Sequence, residues 1–348
     1  MLPSLHAVPG NRLDQIWMVR APVPSASSVA WSLGWLDEEY AAEGIKVGWV
    51  REETIRDPIT HSEQRQRATL REGGNISALI DRSRGQPTRV IGLTWIDERQ
   101  SIIVRPDSGI REPGDLRKRR IAIPGAEQSS SSLTVRGMSL HGVENALSLA
   151  GLTLDDVEII EIPGARIDYS DPLTINRMWA GLDWVADGRA DAVYIKGAAG
   201  AEAAEALGLV VGVDLDVYPS RLSRVNNGTP RPIIVHESLI EQHFDLVVRF
   251  LYRTLLAADW AANHLPDLIE ILQRETFSGP EGIRAAYRND FHRTLHPSLA
   301  AERIDMLRLQ EQFLHRHGFL DDRVDIDGWI DPRPLAVANA MREKLRAA

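Results

Sequence analysis

The stretch SIIVRPDSGIREPGDLRKRRIAIPG, residues 101–125, indicates how the chain is organised. It begins with an apolar strand pattern, continues through a turn-rich connection containing proline, glycine and aspartate, and ends with a second strand pattern. Strand and helix patterns alternate on both sides of it, which is typical of a parallel α/β sheet. We therefore expect this connection to lead from one α/β unit into a second one.

The flanking sequence supports two such units. Strand patterns precede the stretch at IWMVR, IKVGWV and TRVIGLTW, and Ser25–Glu43 predicts one helix that Gly44 ends. DDVEIIEI and ADAVYIKG follow as strands, and the chain from Leu239 onward has a helical pattern. We expect an α/β protein with two lobes and a helical C-terminal segment. Lobe 1 would comprise residues 1–108 and 217–348, and lobe 2 residues 109–216.

Composition excludes several classes of function. The chain has 348 residues, 40 basic and 49 acidic side chains, a net charge of −9 and no cysteine. A nucleic-acid-binding surface is basic, so we expect no nucleic-acid partner. Disulfides, zinc–thiolate sites and thiol nucleophiles are excluded. Walker A, Gly-x-Gly-x-x-Gly and His-Glu-x-x-His motifs are absent, and we expect neither a cofactor nor a metal.

The N-terminal residues MLPSLHAVPGNRLDQ lack the basic and apolar regions of a secretory signal. No apolar run approaches the 18 residues of a membrane helix, so we expect no membrane insertion. These features favour a cytoplasmic protein, or a periplasmic one if a leader has been removed.

Three places in the sequence are candidates for binding an anion. Ser25 lies where a strand meets a helix start, after the prolines of RAPVPSASS, and Ser129 and Ser130 lie at the equivalent turn of the second unit. Helix N-termini present backbone N–H groups to anions, although ordinary N-capping explains the serines as well. Lys196 follows the strand of VYIKG, at the end where parallel sheets bind ligands, or is a surface lysine.

The quoted stretch resembles the crossover into the second lobe of type II periplasmic-binding-protein-like proteins. LSLAGLTLDDVEIIEI and WVADGRADAVYIKG are similar to later second-lobe segments of the nitrate, sulfonate and taurine solute-binding group. Within that group, the sequence is most similar to the aromatic sulfinate desulfinase branch. The resemblance implies a ligand-binding cleft between the lobes. It does not decide between a binder and an enzyme, because this fold supports both.

The resemblance also implies roles for single residues. Ala21, in RAPVPSASS, occupies the position of the desulfinase cysteine, and alanine can neither attack sulfur nor carry a proton. His61 in DPITHSEQ matches the family histidine, which would handle a proton, and Arg71 in LREGGN matches its arginine. Gly73 and Gly74 match the glycine pair whose backbone contacts the bound oxyanion. Taken alone, Arg71 also fits a charged helix end, and His61 an exposed loop.

Two hypotheses therefore remain. One is a cytoplasmic desulfinase-like hydrolase that binds a small organic anion through Arg71 and Gly74 and uses His61 as the acid. In that case another group replaces the thiol, with Ser25 as a weak candidate, or Ala21 is an engineered substitution that traps a substrate complex. The other is a non-catalytic solute-binding component of an ABC uptake system, whose partner would be a permease.

Overall fold

The computed structural model describes residues 13–20, 23–51, 67–125, 130–164, 179, 181–287 and 290–347. Two five-stranded sheets form its centre. The strands are β1 Gln15–Arg20, β2 Lys46–Arg51, β3 Thr69–Glu72, β4 Thr88–Thr94, β5 Gln100–Val104, β6 Arg120–Pro124, β7 Glu158–Ile162, β8 Ala192–Lys196, β9 Val210–Asp214 and β10 Arg231–His236.

The first sheet has the strand order β2-β1-β3-β10-β4. Its strands β1, β2 and β3 are parallel, whereas β10 runs antiparallel to both β3 and β4. Because β10 lies late in the chain and pairs between two early strands, the chain must return to the first sheet after building the second one. Residues 225–230 make this return, and we call them the crossover.

The second sheet has the strand order β7-β6-β8-β5-β9. Strand β6 pairs in parallel with β7 and with the central β8, and β5 runs antiparallel to β8 and β9. The predicted lobe 1, residues 1–108, includes β5, which precedes the turn-rich connection. Its pairing partners show that Gln100–Val104 belongs to the second sheet, so the chain leaves the first sheet before residue 100.

Helices cover both sheets and form most of the chain after β10. They are α1 Ala26–Ser32, α2 Trp35–Ala41, α3 Asn75–Ser83, α4 Ser130–Ser148, α5 Gly181–Ala186, α6 Ala198–Ala206, α7 Glu237–Gln242, α8 Phe244–Ala261, α9 Leu265–Thr276, α10 Pro280–Ala286, α11 Ala301–Arg316, α12 Ile326–Trp329 and α13 Arg333–Ala347. The predicted helical C-terminal segment is confirmed.

The single helix predicted over Ser25–Glu43 is wrong, because α1 and α2 are separate. Gly34 adopts a left-handed backbone conformation, with φ of 77°, and a helix cannot continue through it. Sequence periodicity gave no warning, since apolar residues keep helical spacing on both sides of this glycine.

Among the described residues, two large hydrophobic cores and one small cluster of Trp95, Val225 and Met306 are buried. One packs against the first sheet and includes Ile16, Leu70 and Phe250. The other surrounds the second sheet, but it also takes in residues of α3 and of α11, such as Leu79 and Leu314. The helices α3 and α11 therefore share a core with the second sheet. In the part of the chain that the structure describes, no helix is both long and apolar enough to cross a membrane.

Candidate functional site

The candidate site is the turn between β3 and α3. Strand β3 ends at Glu72, the chain turns through Gly73 and Gly74, and α3 begins at Asn75. We call Gly73 and Gly74 the glycine turn. Arg71 is only 7% exposed, and its Nη2 donates to the carbonyl of Gly74 at 3.1 Å and to the hydroxyl of Ser77. A buried cation is thus held over the first turn of a helix.

Both glycines are needed because two side chains crowd the turn. A Cβ on Gly73 would lie 2.7 Å from Nε of Arg71, and a Cβ on Gly74 would lie 2.3 Å from Oδ1 of Asn227. Gly74 has φ of −61°, which any residue adopts, so close approach and not backbone conformation excludes a larger residue there. Arg71 and Asn227 therefore enclose the glycine turn.

Asn227 belongs to the crossover and contacts this turn. Its Oδ1 accepts a hydrogen bond from the backbone N–H of Ile76 at 3.1 Å, which caps α3. Next to it, the side chain of Asn75 donates to the carbonyls of Asn226 and Pro230, at 2.8 and 2.9 Å. The N-terminus of α3 is thus fixed by side-chain hydrogen bonds to the segment that joins the two sheets.

Lys196, at the end of β8, is a buried part of the same region. Its ammonium donates to Oε2 of Glu98 at 2.9 Å and to the carbonyl of Asn227 at 2.5 Å. Glu98 also accepts a hydrogen bond from the hydroxyl of Tyr287. Burial lowers the pKa of Lys196, and the attraction of Glu98 opposes that shift. Lys196 contacts the glycine turn through Asn227, and it is not on the protein surface.

Ser25 caps helix α1, and a buried carboxylate completes the cap. The hydroxyl of Ser25 accepts a hydrogen bond from the N–H of Ser28 at 3.3 Å. Glu72 accepts bonds from the N–H and the hydroxyl of Ser27, at 3.2 and 2.6 Å, and from the hydroxyl of Thr94 at 2.8 Å. Two amides of the first turn of α1 are thus bonded within the protein, as the N-capping interpretation expects.

Three of the remaining predicted site residues lie outside the described part of the chain, and the fourth is described only in its backbone. Ala21, His61 and Ser129 lie outside the described residues, and Ser130 is placed only as the first residue of α4. The structure brings Arg71, Gly73 and Gly74 together, and it adds Asn227, which sequence reasoning missed. Asn227 carries no motif, and its only signal was a position shortly after the predicted return to lobe 1 at residue 217.

Comparison with known proteins identifies the family. The model of the NMT1/THI5 like family matches residues 28–267, which is more than half of the chain. The chain belongs to this family. The NMT1/THI5-like chain is also 26% identical to 2'-hydroxybiphenyl-2-sulfinate desulfinase of Rhodococcus erythropolis over 365 positions, covering 94% of this chain and 96% of that enzyme. The protein of that name from Rhodococcus qingshengii matches equally.

Solved structures show the fold of this NMT1/THI5-like protein. A desulfurization enzyme matches with a TM-score of 0.74 and 23% identity, over 94% of this chain and 99% of that one. A cysteine-to-serine mutant of it, in complex with biphenyl-2-sulfinic acid, gives 0.73 and 24% over the same shares. The periplasmic aliphatic sulphonate binding protein of Escherichia coli gives 0.66 and 16%, over 91% and 97%. The predicted two-lobed, periplasmic-binding-protein-like fold is confirmed.

Proposed function

We propose that the protein binds a small organic anion, an aryl sulfinate, sulfonate or carboxylate, at the glycine turn between the two sheets. The observation that carries this proposal is the buried guanidinium of Arg71 at the start of α3. A planar guanidinium matches the paired oxygens of these anions, and the positive end of the helix adds attraction in a site with little water. Lysine would not reproduce that geometry.

If the protein is an enzyme, the reaction is hydrolysis of the carbon–sulfur bond of a sulfinate. Water supplies the oxygen that joins sulfur and the proton that joins carbon, so the products are the desulfinated arene and hydrogen sulfite. By the resemblance, His61 transfers the proton and Arg71 holds the sulfinate oxygens. The desulfinase relatives support this proposal. Ala21 leaves the position of the family nucleophile without a thiol, so another group or water must attack sulfur.

The alternative is a solute-binding component of an ABC uptake system for sulfonate-like anions. Binding and release of a solute require the cleft but no nucleophile, so Ala21 favours this function. The fold shared with sulfonate-binding proteins supports it too. A permease would then be the partner.

Titration calorimetry with benzenesulfinate, benzenesulfonate and benzoate tests the proposed site. We expect the wild-type protein to bind at least one of them, and Arg71→Met to weaken binding by about 2 to 5 kcal/mol, the cost of removing one partner of a buried charged contact. Arg84→Met is the control, because Arg84 lies at the end of α3 with its side chain 49% exposed. Unchanged affinity of Arg71→Met would remove Arg71 from the site.

Sulfite release separates the two functions. The protein and its Ala21→Cys variant are each incubated with a panel of aryl and alkyl sulfinates. Turnover by the wild type supports an enzyme that uses a group other than a thiol, and turnover by the variant alone supports a desulfinase site whose thiol has been replaced. Binding without sulfite from either protein supports the solute-binding function.

A further inference from the structure

The side chain of Asn227 lies against Gly74, whereas that of Arg71 lies against Gly73. A Cβ on Gly74 would be 2.3 Å from its Oδ1 and 2.6 Å from its Nδ2, so the whole carboxamide lies against the backbone of Gly74. The side chain is partly exposed, unlike the buried Asn226 beside it. Asn227 is therefore accessible to a ligand that binds at Gly74.

Hydrogen bonding fixes which end of the carboxamide is the donor. Oδ1 accepts from the N–H of Ile76, which has no acceptor capacity of its own, so Nδ2 must be the other end. Among the described residues, Nδ2 contacts the thioether of Met138, on α4, at 3.5 Å. A thioether is a weak acceptor, and the amide carries two hydrogens. Nδ2 thus retains donor capacity between the helices of the two sheets.

The main chain of Asn227 is held in place at the same time. Its N–H donates to Oδ1 of Asn226 at 2.7 Å, and its carbonyl accepts from the buried ammonium of Lys196 at 2.5 Å. A donor that is positioned before the ligand arrives costs little ordering entropy on binding. The amide is also neutral, so it attracts acceptor oxygens and adds no charge to the site.

We infer that Asn227 is a further ligand-binding and specificity-determining residue, whose Nδ2 donates a hydrogen bond to one oxygen of the anion while Arg71 binds another. This inference rests on the proposed function, because it assumes that an anion binds at the glycine turn. It predicts a preference for ligands whose oxygens accept hydrogen bonds on two sides, which sulfinates, sulfonates and carboxylates share.

The test uses Asn227→Asp, which has nearly the same shape. Aspartate caps a helix as well as asparagine does, so the melting temperature should change little. The substitution removes both donors and places a negative charge against the anion. We expect benzenesulfonate to bind at least ~10- to 100-fold more weakly, measured by calorimetry, because charge-assisted hydrogen bonds contribute this much. Asn263→Asp, at an exposed position just after the end of α8, is the charge-matched control and should bind normally.

A neutral ligand adds a result that a purely structural role would not produce. Benzenesulfonamide has the shape of benzenesulfonate but carries N–H groups. An aspartate at position 227 can accept hydrogen bonds from them. The ratio of benzenesulfonate to benzenesulfonamide affinity should therefore fall in Asn227→Asp. Asn227→Ala, which adds no charge, should weaken both ligands about equally, by roughly 10-fold.

The outcomes separate the two claims. If the wild type binds the anion, Arg71→Met loses it and Asn227→Asp retains it with an unchanged ligand ratio, the inference about Asn227 is wrong and the proposed function stands. If the wild type binds no anion in the panel, both are wrong. If Asn227→Asp binds weakly only because it unfolds, its melting temperature falls with its affinity. Asn227→Ala is then measured at a temperature where it remains folded, and wild-type affinity for benzenesulfonate would show that the inference is wrong.

Discussion

Glu72 accepts hydrogen bonds from both the backbone N–H and the hydroxyl of Ser27, at 3.2 and 2.6 Å. The carboxylate is 1% exposed and belongs to β3, one residue after Arg71. Successive strand residues point to opposite faces, so β3 uses one face to hold α1 and the other to present the arginine. Helix α1 is therefore fixed to the strand that carries the candidate site.

Glu72→Gln should destabilise the protein by about 1 to 3 kcal/mol, measured by urea unfolding. Glutamine is neutral, so the bonds from the N–H and hydroxyl of Ser27 would lose the charge that strengthens them. Glu281→Gln is the control, because the Glu281 side chain is 72% exposed, and such changes stay within about 0.5 kcal/mol. Equal stability of the two variants would show that the Ser27 contacts do not stabilise the fold.

Gly74→Ala should cost about 1 to 3 kcal/mol through crowding against Asn227. Asn227→Ala removes the crowding side chain, so the double variant should be more stable than the sum of the single changes by about 1 kcal/mol or more. Gly114→Ala provides a matched comparison, since the nearest atom to its added Cβ is 3.9 Å away. Additive effects at positions 74 and 227 would contradict the close approach.

Lys196→Met should destabilise the protein by about 3 to 5 kcal/mol, because Glu98 would remain buried without its countercharge. Adding Glu98→Gln should recover part of this loss in the same chemical-denaturation experiment. The exposed pair of Arg284 and Glu281 serves for comparison, and Arg284→Met should cost less than about 1 kcal/mol. A small effect of Lys196→Met, similar to that of Arg284→Met, would mean that the ammonium is solvated.

His141 should make stability depend on pH. Its ring stacks on Phe313 of α11 at 3.9 Å, and its Nδ1 pairs with Gln310 at 3.0 Å. Glu144, Arg316 and His317 are the charged or titratable groups around it. Burial lowers the pKa of His141 from 6.5 to about 4. The unfolded chain therefore binds more protons between these values, and stability falls as pH falls through that window.

The expected loss between pH 6.5 and about pH 4 is ~3 kcal/mol from this histidine. His141→Gln keeps a polar partner for Gln310 but does not titrate, so its unfolding free energy should fall less over the same pH window. His315→Gln, at an exposed position of the same helix as Phe313, should retain the wild-type slope. Identical slopes for wild type and His141→Gln would show that the imidazole is not buried as described.

Much of the fold was accessible from the sequence, because strand and helix periodicities report which faces are buried. The sheet positions of β5 and β10 could not be predicted, because both strands pair with partners that are distant in the sequence. Arg71, Gly73 and Gly74 were found through a family pattern within a short segment. Asn227 contacts the same turn although it lies 153 residues after Gly74 (227 − 74). Local sequence cannot reveal such a contact.

The most direct test of anion binding at the glycine turn is a crystal structure of the wild-type protein with benzenesulfinate. We predict that the sulfinate oxygens lie within hydrogen-bonding distance of the Arg71 guanidinium and the backbone N–H of Gly74. A ligand bound elsewhere, with Arg71 directed away from it, would contradict the account.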